Sequence, residues 1–245
     1  MQIFRTKLSV NINKIATLRN ARRGHDPDVI LAAQKIQEFG AHGITVHPRP
    51  DERHITMMDV INLKKAVHTE FNIEGYPSED FLALITNIRP DQTTLVPDPP
   101  DVLTSNAGWD VKSNQALLKK VCHHISFTRI SVFIDPRTCS LDDLKILKDI
   151  GVHRIELYTE NYSKAFAENK NLQTVLDEYK SCAEDALKVG LKINAGHDLN
   201  QLNLKTFIST VPEVSEVSIG HALISEALYE GLALTISNYL KILNS

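Results

Sequence analysis

Eight short β-prone segments, each followed by a stretch with helical spacing of its apolar residues, succeed one another along the 245-residue chain without a linker. Strands are predicted at Leu8–Ile12, Gly43–His47, Asn72–Tyr76, Thr93–Val96, Arg129–Ile134, Arg154–Tyr158, Leu191–Ala195 and Val214–Ile219. Alternation at about 30 residues per unit points to a parallel sheet covered by helices. An open doubly wound sheet alternates in the same way. Eight units with no extra strand, and polar residues at strand ends around the whole set, favour closure. The predicted fold is a single-domain (β/α)8 TIM barrel spanning residues 1–245.

Local signals mark the helices. Asp26-Pro27 predicts a helix start, with Asp26 as N-cap and Pro27 at the first helical position. Thr56–Phe71 and Ser78–Ile88 read as the next two helices, and Ala222–Leu243 closes the chain. Segments 98–110 and 159–171 are polar enough to predict mobile loops over the rim.

The formal net charge of −3 gives no global basic field for nucleic acid or anionic lipid, so any anion selectivity must be local. Three cysteines without CxxC spacing suit a reducing compartment and no disulfide framework. The first ten residues carry Arg5 and Lys7 and no long apolar run, so no secretory signal is expected. No apolar stretch approaches the roughly 18 residues of a membrane helix. A cytoplasmic protein is expected.

In a parallel barrel the carboxyl ends of all strands meet on one rim. Asn11, His47, Glu74, His197 and Gly220-His221 all fall at predicted strand ends. Two imidazoles and a carboxylate brought together there form a general acid–base set. His47 is followed by Arg49 and His54, which add cationic contacts. Glu74 on an inward strand position is either functional or ion-paired, because burying a lone carboxylate is costly. Glu156 in the sixth strand poses the same choice. Asn11 and Asn13, two apart, face one side of a strand and suit oriented hydrogen bonds to a polar ligand. Asn13 and Lys14 either extend that set or open a solvated loop. Gly220-His221 directly precedes the last helix, whose free N–H groups favour an anion. His42, His68, His123, His124 and His153 read as surface residues. No metal-ligand spacing and no nucleotide-binding glycine motif occurs.

The runs VNINKIATLRNAR, GITVHPRPDERHIT, NIEGYP, LVPD, LKINAGH and SIGHALI together resemble the pyridoxine 5′-phosphate synthase family over essentially the whole chain. The resemblance implies a barrel with additional helices, assembled as a homo-octamer. It implies condensation of 3-amino-2-oxopropyl phosphate with 1-deoxy-D-xylulose 5-phosphate, giving pyridoxine 5′-phosphate, phosphate and water. It further implies His47 and Glu74 as proton acceptors and His197 as proton donor. Asn11, Arg22, Gly220 and His221 would hold the aminoketone phosphate, and Arg49, His54 and Thr104 the sugar phosphate. Asn13 and Lys14 stand where Asp-His is commoner, and Asp198 where a small residue follows the NAGH run. All three join the substrate-side candidates. Tyr158-Thr159-Glu160 replaces the usual His-Thr-Gly. The partners implied are small phosphorylated molecules, with no cofactor. Two other readings share the residue pattern: a different phosphosugar isomerase or aldolase, and a phosphosugar-binding barrel without catalysis.

Overall fold

The computed structural model describes residues 6–97 and 108–245. Eight parallel strands close into a barrel in chain order, with β8 hydrogen-bonded back to β1. They are β1 (Lys7–Asn11), β2 (Gly43–Val46), β3 (Glu70–Gly75), β4 (Gln92–Leu95), β5 (Arg129–Ile134), β6 (Arg154–Leu157), β7 (Lys192–Gly196) and β8 (Val214–Ile219). The expected (β/α)8 closure is therefore observed. Helices follow the strands as α1 (Asn13–Asn20), α2 (Val29–Glu38), α3 (Met57–Ala66), α4 (Glu79–Ile88), α5 (Gln115–His124), α6 (Leu141–Asp149), α7 (Glu160–Glu168), α8 (Leu172–Lys188), α9 (Leu204–Thr210), α10 (His221–Glu230) and α11 (Leu232–Leu243).

Strand alternation divides the residues into two populations. Val10, Ile44, Ile73, Val132, Ile155, Ile193 and Val217 are fully buried, in the hydrophobic core formed with the helices. The intervening residues fill the lumen and are mostly polar. Across it, Gln92 Nε2 donates to Glu216 Oε1 at 3.4 Å, Asn194 Nδ2 to Gln92 Oε1 at 3.5 Å, and Arg154 to Asn194 Oδ1 at 3.0 Å. Such a lumen holds by directional bonds, because each of these buried groups needs a partner.

Several local expectations change. The helix after β1 starts at Val29, capped by Asp28, whose Oδ1 accepts from the amides of Ile30 and Leu31. Asp28 takes the role expected of Asp26, standing directly before the first helical residue as an N-cap must. An unexpected helix, α1, begins directly behind β1 at Asn13, so Asn13 is not a strand residue. The predicted loop 159–171 contains α7 instead. Tyr162 from that helix is fully buried, with its ring 5.1 Å from Phe207 and 6.3 Å from Tyr179. Burying a ring of that size outweighs the polarity of its neighbours. The final helix is two helices, parted at Gly231, where φ is +83°. Residues 98–107 of the other predicted loop lie outside the described residues; Trp109 beyond them is buried and donates to the Leu95 carbonyl.

Two of the histidines expected on the surface, exposed His153 and half-buried His42, also close strand starts. His42 Nδ1 accepts from the Leu8 amide at 3.2 Å, and His153 Nδ1 from the Ile130 amide at 3.1 Å. Each ring takes a backbone donor that the ladder leaves over. No described helix is long and apolar enough to cross a membrane.

Candidate active site

At the carboxyl rim, a cavity of about 700 Å3 is lined by Asn11, Asn13, Lys14, His47, Arg49, His54, Glu74, His197, Asp198, Gly220 and His221. Volumes of this size suit small ligands. These residues come from distant stretches of sequence and meet only because the barrel closes. Arg22, exposed beyond α1, does not line the cavity, and Thr104 lies outside the described residues. Tyr158, Glu160, Lys164 and Ser218 line it as well. Ser218 was legible by alternation, two residues before Gly220. Lys164 was hidden because its segment reads as loop; only a helix puts it one turn from Glu160, which it meets at 2.6 Å.

His47 directly follows β2, and its Nδ1 lies 3.9 Å from Glu74 Oε2 on β3. Asn11 Nδ2 donates to that same oxygen at 3.4 Å. Burial, then the Arg49 guanidinium, hold the His47 imidazole well below its ordinary value, so it is neutral at pH 7. Burial pushes Glu74 up to about 8; Arg49 opposes the rise and Glu216 adds to it. At pH 7 the pair is therefore a neutral imidazole beside a largely protonated carboxyl, and the contact is not an ion pair. One accepts a proton as found; the other accepts only once ionised.

His197 follows β7 in the left-handed region, at φ +55°, with its ring 5.0 Å from that of Phe133. A non-glycine residue held there is strained, and strain of this kind aims a side chain only where the surroundings enforce it. The His197 amide donates to the Ser218 carbonyl at 3.3 Å, and β7 and β8 approach closely there: a Cβ added at Gly196 would lie 2.3 Å from that same oxygen. Burial and Arg49 bring His197 down to about 4. Burial, Arg49 and Lys14 bring His54 to about 4 as well.

Gly220 serves a second close approach: a Cβ there would meet Asn11 Cβ at 3.0 Å. It opens α10 without a capping side chain, and both Gly220 and His221 line the cavity, so the uncapped start of that helix lies at its wall. Burial and then Glu160 push the Asp198 carboxyl above its ordinary value, with Lys164 and His221 opposing the rise. Beneath the rim, neither carboxyl oxygen of Glu156 has a hydrogen-bond partner among the described residues. Burial and then Glu74 raise this group well above its ordinary value. The ion-pair reading of Glu156 is not observed. Among the described residues, no group of three or more His, Cys, Asp or Glu could hold a metal ion.

The family described as pyridoxal phosphate biosynthesis protein PdxJ matches residues 8–245. The chain belongs to that family. A pyridoxine 5'-phosphate synthase of Porphyromonas gingivalis is 54% identical over 236 residues, covering 96% of this chain and 97% of the relative. One of Flavobacterium johnsoniae is 52% identical over 239 residues, covering 96% and 98%. Among solved structures, 3-keto-L-gulonate-6-phosphate decarboxylase from Vibrio cholerae is similar with a TM-score of 0.65 at 12% identity, covering 98% of each chain. Thiamine phosphate pyrophosphorylase from Pyrococcus furiosus gives 0.63 at 12% identity, covering 100% of this chain and 98% of that one. At such identity these two likenesses speak for the PdxJ chain's barrel fold alone.

Proposed function

We propose that this chain is a pyridoxine 5′-phosphate synthase, condensing 3-amino-2-oxopropyl phosphate with 1-deoxy-D-xylulose 5-phosphate to give pyridoxine 5′-phosphate, phosphate and water. The observation that carries the chemistry is the 3.9 Å approach of His47 to Glu74 inside a cavity that also holds His197. Joining an amine to a ketone, expelling water and phosphate, and closing an aromatic ring all move protons. The imine forms between the two substrates, so the scheme requires no enzyme lysine and no redox step.

His47 and Glu74 act as proton acceptors and His197 as the donor. His47 is ready to accept at neutral pH, whereas Glu74 gains that capacity towards its value of about 8. His197 needs help to donate, since Arg49 and burial keep it neutral. An incoming phosphate supplies that help, because a nearby anion favours the protonated imidazole. Gly220 and His221 at the start of α10 suit one phosphate, with Asn11 beside them. Arg49, His54 and Lys14 suit the other, and Asn13 and Asp198 line the same cavity. Arg22 and Thr104 remain as substrate contacts implied by resemblance. Assembly into an octamer and a cytoplasmic location belong to the same proposal; sedimentation analysis tests the first.

Incubation of the purified protein with both phosphorylated substrates is the direct test. A pyridine product and free phosphate in equal amounts are expected. Turnover of one substrate alone would instead indicate an isomerase or aldolase. His47→Ala should fold normally and lose about 10²–10⁴ in turnover.

A further inference from the structure

The backbone amide of His47 has lost its place in the sheet. Along β1 and β2 the ladder runs regularly as far as the bond from the Ile12 amide to the Thr45 carbonyl. Parallel geometry would next send the His47 amide to the Ile12 carbonyl. That carbonyl already accepts from the Ile15 and Ala16 amides at the start of α1. The early helix therefore strands a donor at the very residue whose ring faces Glu74.

The side chain of Asn13 takes over the missing rung. Its Oδ1 accepts from the His47 main-chain amide at 3.0 Å, while the main-chain N–H of Asn13 donates to Asn11 Oδ1 at 3.1 Å. Asn11 Nδ2 reaches Glu74 Oε2, which lies 3.9 Å from His47 Nδ1. The circuit Glu74–Asn11–Asn13–His47 returns to its starting carboxyl and spans three strands. Pro48 restricts the His47 backbone from the other side, because a residue before proline is held extended.

We infer that Asn13 is a positioning residue for His47, its amide oxygen fixing the main chain from which the imidazole reaches Glu74. The inference rests on the catalytic reading of His47. It differs from a substrate-binding role for Asn13, which would act on affinity. Misplacing a reacting group by about 1 Å can cost on the order of 10² in rate.

The test compares Asn13→Ala, which removes the acceptor oxygen, with Asn13→Asp, which keeps one. In Asn13→Ala, kcat should fall by at least about tenfold with KM for both substrates within about twofold. Asn13→Asp should retain kcat within about threefold. Hydrogen exchange at the His47 amide should quicken at least about tenfold in the alanine variant and stay slow in the aspartate one. That second readout needs no turnover, so it stands apart from wild-type activity, which tests the synthase reading. Unchanged kcat in Asn13→Ala, or a raised KM for the sugar phosphate alone, overturns the inference. If the alanine variant does not fold, Asn13→Asp decides: a folded protein with kcat down more than about tenfold overturns it too.

Discussion

Arg154 donates from Nη1 to Glu216 Oε2 at 3.3 Å inside the barrel, and both side chains are almost wholly buried. Burial and Glu70 already push the Glu216 carboxyl up to about 8, so removing Arg154 leaves a buried acid without its hydrogen-bond donor, at a cost of about 1–3 kcal/mol. Arg154→Met should lower the unfolding free energy by that amount in urea titrations. Arg154→Met combined with Glu216→Leu should recover most of it. A single variant as stable as the parent would mean that the lumen tolerates the unpaired acid.

Glu74 is expected to weaken the fold as pH rises. Its value of about 8 in the folded chain exceeds the ordinary 4.5, so between the two the folded state keeps a proton that the unfolded state has lost. Stability therefore declines across that window, by up to about 1.4 kcal/mol per pH unit. Glu74→Gln should flatten the decline between pH 5 and pH 8 while costing at least about 10² in turnover. Flattening with full activity would remove Glu74 from the chemistry.

His197 is expected to respond to anions. Its ring titrates near 4 against an ordinary 6.5, so the unliganded fold loses stability as pH drops below 6.5. Inorganic phosphate at millimolar concentration should raise the ring's titration midpoint, read by NMR, by at least about one pH unit. An unmoved midpoint would place the phosphate elsewhere and leave the donor role without its proton.

Gly196→Ala should be destabilising and close to inactive. The new methyl would press on the Ser218 carbonyl at 2.3 Å, and backbone cannot swing aside as a side chain can. Overpacking of this kind costs about 1–3 kcal/mol. Thermal unfolding measures the first effect, and turnover the second, since His197 is the next residue. Parent-like values in both assays would show that β7 and β8 have room to part.

Much of this molecule could be read in its sequence. The strand sites and the closure followed from repeated alternation, and the rim residues followed from their position at strand ends. His47, Glu74 and His197 meet because those ends meet. What escaped was long-range. α7 escaped because its polar segment hides one decisive ring, and nothing local shows that Tyr162 will find Phe207 and Tyr179. α1 escaped because Asn13 reads as strand until the Ile12 carbonyl is seen turning the chain into a helix. Lys164 was lost with α7. The protonation states escaped too, for they depend on how deeply Glu74 and Glu156 are buried and on which charges from other strands lie near them.

α10 opens with bare amides, whereas α3 and α6 begin with capping boxes built on Thr56 and Ser140. An oxyanion gripped by main-chain atoms is indifferent to most changes of residue type. On the proposed reading of α10 as the phosphate grip, the imidazoles and amides around it can change, altering which carbon skeleton is accepted, without loosening the hold on phosphorus.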